Sequence, residues 1–199
     1  MTNIYIEAKN KNTTEYVFIK SLLDHLCIDS SLYEIVPVNG KDNLQHMQVQ
    51  FEQNTLLNGK NIIIFDADTP HTRGGFHSRL DQINQVVKDN KMTTEAIFLF
   101  PNNQDDGIFE NLLEKLMLKE THQKWFDCYT DYEKCLGTDY ISPNLKGRLF
   151  TYISSQKDLS NSKRKKLGQG QWLFEDTRFW NLDNAYLDPL KNFLLKHII

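Results

Sequence analysis

The chain contains two carboxylates that directly follow its most apolar segment. Residues 62–65 are three isoleucines and a phenylalanine, and Asp66 and Asp68 come just after them, one residue apart. Carboxylates this close repel each other unless a cation or a shared proton relieves the repulsion. Carboxylate oxygens are the ligands that hard divalent cations prefer. The pair therefore predicts a Mg²⁺ (or Mn²⁺) site with Asp66 and Asp68 as ligands.

The apolar segment before these carboxylates is predicted to be a buried strand. Its residues do not alternate with polar ones, which indicates a strand covered on both faces, as in a parallel α/β sheet. Other strands and helices are predicted to alternate with it, the strands at 3–6, 33–38 and 96–100 and the helices near 14–26, 42–56, 76–88 and 108–119. This alternation predicts an α/β fold with a Rossmann-like, mostly parallel four-stranded sheet.

Residues 121–199 differ in character from this alternating region. They are rich in Tyr, Trp, Lys and Asp, and helices are predicted near 121–136, 145–156 and 184–199. We interpret 1–120 as an α/β core and 121–199 as a helical extension that packs on it. Loops are predicted at 69–75, at 102–107 and in the Ser/Asn/Gly-rich segment around 163–166.

Acidic residues at the predicted strand ends are expected to meet. They are Glu7 after the first strand, Asp66 and Asp68 after the third, and Glu110 in the helix after the fourth. Ligands of open α/β sheets lie beyond the carboxyl ends of the strands, so side chains distant in sequence share that edge. The simpler alternatives are a solvated or capping Glu7, and a Glu110 that only complements the dipole of its helix.

The order of these features resembles that of the TOPRIM domain. In that domain one apolar strand ends in Glu, a glycine turn precedes a helix, and a later apolar strand ends in Asp-x-Asp. Glu7, Gly40 and Asp66–Asp68 stand in that order here. The resemblance implies a TOPRIM core of the Rossmann-like type.

Two further segments narrow the resemblance. Phe98–Asn103 (FLFPNN) and the motif Gly107-x-x-Glu110-Asn-Leu-Leu resemble a bacterial group known as DUF3226, related to the TOPRIM domains of OLD-family nucleases. Trp172–Phe174 and Leu190–Leu194 also resemble the C-terminal end of that group. The resemblance therefore covers most of the chain.

The resemblance implies Mg²⁺-dependent phosphodiester chemistry on nucleic acid, by a nuclease of a defence or repair system. It assigns Asp66 and Asp68 to the metal, Glu7 to proton transfer or to the metal shell, and it adds Glu110 to the acidic cluster. A bound cation would neutralise charge on the scissile phosphate and activate water. The implied partners are DNA or RNA and an ATPase protein.

Basic side chains supply candidate contacts to the phosphates of a nucleic acid. Lys9 and Arg73 belong to loops at the predicted carboxyl edge, where an anionic substrate would lie. Four more basic residues form a run, Lys163, Arg164, Lys165 and Lys166. Each phosphate contact adds salt-dependent affinity. The alternative is that this run is a solvated, charged loop.

Other interpretations fit parts of the pattern. TOPRIM motifs place Gly after the Glu of the first strand, whereas Ala8 stands here and would be strained at a positive φ, which favours a non-catalytic regulatory or scaffolding module. Phosphatases of the haloacid-dehalogenase (HAD) type carry Asp-x-Asp but place Thr or Val at the position of Pro70. Nucleotide-sugar glycosyltransferases also carry Asp-x-Asp (DxD) after an apolar strand, without calling for Glu7.

The composition is that of an ordinary globular protein. The 199 residues are 40% apolar and 25% charged, with a formal charge of −3, so no overall basic surface indicates constitutive nucleic-acid binding. No apolar run reaches the length of a membrane span, and no signal-peptide pattern opens the chain. Cys27, Cys128 and Cys135 have neither paired nor zinc-type spacing. We therefore expect a cytoplasmic protein with no membrane partner, whose reduced cysteines serve in packing.

Overall fold

The fold is built on a four-stranded sheet. The computed structural model describes residues 1–72 and 74–199. Its strands are β1 (Thr2–Ile6), β2 (Tyr33–Pro37), β3 (Lys60–Asp66) and β4 (Ala96–Phe100), in the spatial order β2-β1-β3-β4. All pairings between these described strands are parallel. The predicted α/β fold with a parallel sheet is confirmed.

Helices connect the strands and form the C-terminal part of the chain. The first four are α1 (Thr14–His25), α2 (Gln48–Leu56), α3 (Phe76–Asp89) and α4 (Phe109–Leu116). The later ones are α5 (Gln123–Leu136), α6 (Leu145–Ser154), α7 (Asn161–Leu167) and α8 (Asp188–Ile198). Short 3₁₀ helices occupy Lys41–Met47, Pro70–Thr72 and Ala185–Leu187. In the described ranges, no helix is both long and apolar enough to cross a membrane.

Both faces of the sheet are covered by apolar side chains. Successive residues of a strand point to opposite faces. In β3, Ile62 and Ile64 therefore join the apolar cluster with α1 and α4, whereas Ile63 and Phe65 join the cluster with α2 and α3. These four side chains are at most 1% exposed. Burial on both faces explains why the sequence of this strand does not alternate.

The segment after α4 packs on the first of these clusters. The rings of Phe18 in α1 and Phe174 lie 5.1 Å apart, and the indole nitrogen of Trp180 donates to the carbonyl oxygen of Trp172 at 2.8 Å. The apolar cluster continues from the sheet into this C-terminal segment. The division of the chain near residue 120 into a core and an extension stays a prediction.

Some local expectations differ from the structure. The basic run lies in helix α7 and not in a loop, because Ser160 caps that helix by accepting a hydrogen bond from the Lys163 amide at 3.3 Å. The helix expected over 42–56 is a 3₁₀ helix followed by α2. The three cysteines are unpaired and exposed, so the prediction that they serve in packing is wrong.

Candidate functional site

Glu7 follows β1 at the centre of the carboxyl edge of the sheet. Its Oε2 accepts a hydrogen bond from the amide of Asp66 (3.4 Å), and its Oε1 accepts one from the amide of Lys41 (3.3 Å). Glu7 thus contacts the chain that follows β2 on one side and the end of β3 on the other. Burial raises the pKa of Glu7, and the charge of Asp68 adds to this, whereas the Asp66 amide and the charge of Arg79 oppose it.

Asp66, the last residue of β3, is held by the start of helix α4. Its Oδ1 accepts a hydrogen bond from the amide of Phe109 at 2.8 Å. Burial raises the pKa of the Asp66 carboxyl well above its ordinary value. The negative charges of Glu7, Glu110 and Asp68 raise this pKa further, and the Phe109 amide opposes them. Mutual repulsion of this kind is relieved by a proton or by a cation.

Asp68 forms an isolated antiparallel bridge with Gly107, and its backbone lies in the left-handed region, at a φ of 61°. Asp tolerates this region better than most non-glycine residues. The chain at Asp68 lies so close to Gly74 that a Cβ added to Gly74 would be 2.3 Å from the Cβ of Asp68. The Asp68 carboxylate points to helix α3, where Oδ2 accepts a hydrogen bond from Nη2 of Arg79 in an ion pair.

Glu110 brings a fourth carboxylate from the first turn of α4. It is 8% exposed. The Nζ of Lys146 in α6 lies 3.4 Å from Oε1 of Glu110, and the Lys146 side chain remains 54% exposed. The C-terminal helices therefore contribute a cation to the same edge of the sheet that carries the predicted acidic residues.

A cleft of about 640 Å³ opens beside Glu7. The β1–α1 loop forms one wall, with Lys9 and Asn12, while Lys146 and Gly170 belong to the opposite, C-terminal side. At Gly170 (φ 84°) a Cβ would lie 2.6 Å from the carbonyl oxygen of Asn12, so the two sides are in close contact there. Another cavity, of about 430 Å³ between α1 and residues 174–183, contains none of the predicted site residues.

Of the two basic residues predicted at the carboxyl edge, Lys9 belongs to the described residues and Arg73 does not. Lys9 is exposed and lines the cleft beside Glu7. Arg73 lies outside the described residues, so its predicted contact with phosphate stays a prediction. The structure thus places Lys9 on the same cleft as Glu7.

The basic run in α7 is separate from the cleft. Arg164 donates hydrogen bonds to the carbonyl oxygens of Ser154 (2.5 Å) and Gln156, so it joins α7 to the end of α6. The other members are Lys163, which lies 3.9 Å from a carboxylate oxygen of Asp176, and the exposed Lys165 and Lys166. Among the described residues that line the cleft, none comes from this run.

The site contains two basic residues, Arg79 and Lys146, that the sequence patterns did not indicate. Arg79 follows Phe76 by three residues and precedes Ile83 by four, so it lies on the apolar side of α3, where a charged residue needs a partner. That position is a signal that could have identified it. Lys146 carries no such signal, because its pairing depends on how α6 packs against α4.

The carboxylates fit a hard divalent cation in charge and in donor type. They are not yet gathered around one point: among residues 1–72 and 74–199, no three His, Cys, Asp or Glu side chains are arranged to hold a metal ion. Asp66 contacts Phe109 and Asp68 contacts Arg79 instead. Within the described residues, Glu7, Asp66 and Asp68 therefore do not form a ready metal-ligand set.

The fold and the carboxylates at the end of its strands define the class, an α/β protein with a parallel sheet of the TOPRIM-like type. The chain belongs to the family described as "Protein of unknown function (DUF3226)", whose model matches residues 12–198. The predicted family is therefore confirmed. Glu7 and Lys9 precede the matched residues, so their roles depend on the geometry of this chain.

Comparison with solved structures supports the fold. The C-terminal region of the OLD protein of Burkholderia pseudomallei is similar, with a TM-score of 0.50 and 13% sequence identity. The match covers 100% of this chain and 98% of that structure. No curated protein matched the sequence. At this identity the comparison shows a shared fold, and the relation to OLD proteins predicted from the sequence is confirmed at that level.

Proposed function

We propose that the protein is a Mg²⁺- or Mn²⁺-dependent nuclease that cleaves phosphodiester bonds of DNA or RNA at the carboxyl edge of its sheet. The observation that carries this proposal is the electrostatic crowding of Asp66 by three other carboxylates, those of Glu7, Asp68 and Glu110. Such crowding costs stability, which a proton or a bound cation relieves, and it is typical of functional sites. The fold shared with an OLD protein supports the nuclease class. The proposal also includes an ATPase partner and a role in defence or repair.

Glu7, Asp66 and Asp68 would hold the cation. When bound, it would neutralise charge on the phosphate and make a water molecule more acidic. A carboxylate oxygen of Glu7 that does not bind the cation would accept the proton of the attacking water. The water oxygen bonds to phosphorus, and the bond from phosphorus to the leaving sugar oxygen breaks as that oxygen gains a proton from solvent.

The cleft beside Glu7 is the proposed path of the substrate backbone. Lys9 and Lys146 line it, and their ammonium groups are suited to phosphate oxygens. No aromatic side chain is among the described residues that line the cleft, which favours contacts to the sugar-phosphate backbone over base stacking. Lys165 and Lys166 are candidates for additional backbone contacts, whereas Arg164 serves the junction of α6 and α7.

The test is cleavage of plasmid DNA, single-stranded DNA and RNA in Mg²⁺, Mn²⁺ or EDTA. Asp66→Asn and Asp68→Asn remove one charge each at nearly constant shape, and we expect both to reduce cleavage by about 10²-fold or more. Asp139→Asn is the matched control, because Asp139 is exposed and lies outside the cluster. Cleavage that survives in both cluster variants, or that persists in EDTA, would falsify the proposal.

A non-catalytic regulatory or scaffolding module is the second candidate. The ion pair of Asp68 with Arg79 favours it, because this pair neutralises one carboxylate of the cluster without a metal. The backbone of Ala8 does not favour it, since Ala8 is not among the described residues with positive φ and so lacks the strain that a positive φ would cause. Absence of Mn²⁺ binding together with absence of cleavage would select this candidate, and phosphomonoester or nucleotide-sugar turnover would select the phosphatase or glycosyltransferase class.

A further inference from the structure

Arg79 is a buried charge at the edge of the carboxylate cluster. Its side chain is 2% exposed, although Arg is almost never fully buried without a partner. Nη2 donates to Oδ2 of Asp68, and Nη1 donates to Oε1 of Gln82 at 2.7 Å. Nε makes no hydrogen bond with any residue that the structure describes. The guanidinium is therefore held mainly by its ionic contact with Asp68, without full satisfaction of its donors.

The position of Arg79 matters to more than one carboxylate. It forms an ion pair with Asp68, and its positive charge also acts on Glu7. It therefore supplies, from within the protein, the positive charge that the cluster requires. A divalent cation would supply charge of the same sign to the same carboxylates. Two cations in one partly buried site repel each other strongly, because the local dielectric is lower than that of water.

The direction of the Asp68 side chain determines whether its carboxylate is available to a cation. It is turned to Arg79, and among the described residues no three acidic or histidine side chains form a ready ligand set. Arg79 is constrained by Gln82 and by the surrounding core, whereas Asp68 is partly exposed. Asp68 is thus the side chain that has to move when a cation is bound together with Asp66.

We propose that Arg79 is a built-in counter-cation that competes with the divalent metal for Asp68, so that it stabilises the metal-free site and lowers its metal affinity. This inference rests on the proposed metal-binding function. A residue that only orients a metal ligand has the opposite effect, since removing it weakens metal binding about 10- to 100-fold. The sign of the change in affinity therefore distinguishes a competitor from a positioning residue.

The experiment is calorimetric titration of the full chain with Mn²⁺ alone, without nucleic acid. Arg79→Gln removes the charge but keeps a donor, and we expect it to bind Mn²⁺ at least about tenfold more tightly than the wild type. Arg79→Lys keeps the charge and is expected to stay within about threefold of the wild type. Arg148→Gln is the matched control, because Arg148 also forms a part-buried ion pair, with Glu114, and also has an unpaired Nε.

Mn²⁺ binding by Arg79→Gln and by Asp66→Asn separates the role of Arg79 from the existence of the metal site. Unchanged or weaker binding by Arg79→Gln, with wild-type binding that is lost in Asp66→Asn, overturns the role of Arg79 and leaves the proposed metal site intact. Binding that is absent from every variant, or unaffected by Asp66→Asn, overturns both. If Arg79→Gln does not fold in EDTA, Mn²⁺ is expected to restore its melting transition by replacing the lost charge, and failure to restore it overturns the inference.

Discussion

The carboxylate of Asp66 caps helix α4 from a different part of the chain, since its Oδ1 accepts the amide hydrogen of Phe109 at 2.8 Å. Amides at a helix N-terminus lack partners within the helix, and the positive end of the helix dipole favours a nearby anion. This contact ties the end of β3 to α4 and offsets part of the repulsion around Asp66. It also gives Asp66 a structural role that is separate from the proposed metal binding.

The charge of Asp66 is expected to make the metal-free protein less stable as pH rises. The folded-state pKa of Asp66 is raised above its value in the unfolded chain. Its contribution is therefore fully present below the unfolded pKa, roughly pH 4, and is lost as pH rises through the folded pKa. In EDTA, Asp66→Asn should melt at a higher temperature than the wild type near pH 7, and the difference should vanish near pH 4.

The control for this prediction is Asp139→Asn, which should have the same melting temperature as the wild type at every pH. Asparagine at position 66 keeps an oxygen that can accept from Phe109, so the helix cap is preserved. Mn²⁺ should raise the melting temperature of the wild type and close the gap, because a ligand that binds only the folded state stabilises it. An Asp66→Asn variant that is less stable than the wild type at pH 7 in EDTA would contradict the raised pKa of Asp66.

Lys146 is expected to stabilise the protein through Glu110. Lys146→Met leaves a carboxylate that is 8% exposed without its cation at 3.4 Å, and we expect a loss of about 1 kcal/mol in urea denaturation at pH 7. The double variant Lys146→Met/Glu110→Gln should recover most of this loss, since it removes both charges. Lys165→Met is the control and should change the stability by less than about 0.5 kcal/mol. No recovery in the double variant would show that the loss has another cause.

Gly170 is expected to be intolerant of a side chain. Alanine there would have a φ of 84° and would place its Cβ 2.6 Å from the Asn12 carbonyl oxygen, so Gly170→Ala should destabilise the protein by about 1–2 kcal/mol or more. Gly168→Ala is the matched control, because φ is −62° and the nearest atom would be 3.8 Å away. Thermal melting of both variants tests this, and equal melting temperatures would exclude the close contact.

Arg164 is expected to act in stability and not in substrate binding. Arg164→Ala removes donors to the carbonyl oxygens of Ser154 and Gln156, with an expected loss of about 1 kcal/mol in urea denaturation. Arg164→Lys should recover little, because an ammonium lacks the two-nitrogen fork of a guanidinium. Lys165→Ala should leave stability unchanged. Wild-type stability of Arg164→Ala would show that these hydrogen bonds contribute nothing.

The sequence was informative about the sheet because burial on both faces leaves a local signal. The unbroken apolar run of β3 and the carboxylates after it could be recognised residue by residue, and parallel topology then predicted that Glu7 and Asp66 share an edge. The contact between them at 3.4 Å agrees with that expectation. Their roles in metal binding and proton transfer remain predictions.

Other features depend on tertiary packing and could not be predicted in this way. The pairing of Lys146 with Glu110 requires the register between α6 and α4, which no local pattern encodes. The basic run was expected in a loop because Gly and Ser surround it, whereas Ser160 as a cap followed by good helix formers outweighs them. The position of Arg79 on the apolar face of α3 could have been recognised from the sequence, but its pairing with Asp68 could not.

A fragment that ends near residue 120 is not expected to be stable without the rest of the chain. Phe18 is fully buried, and its ring lies 5.1 Å from that of Phe174, so removal of the later segment would expose it to water. Large exposed apolar patches promote association, and such a fragment would aggregate. It would also lack Lys146 and Gly170, and with them one side of the cleft. Transfer of these carboxylates to another scaffold therefore requires the helical segment 121–199 as well as the sheet.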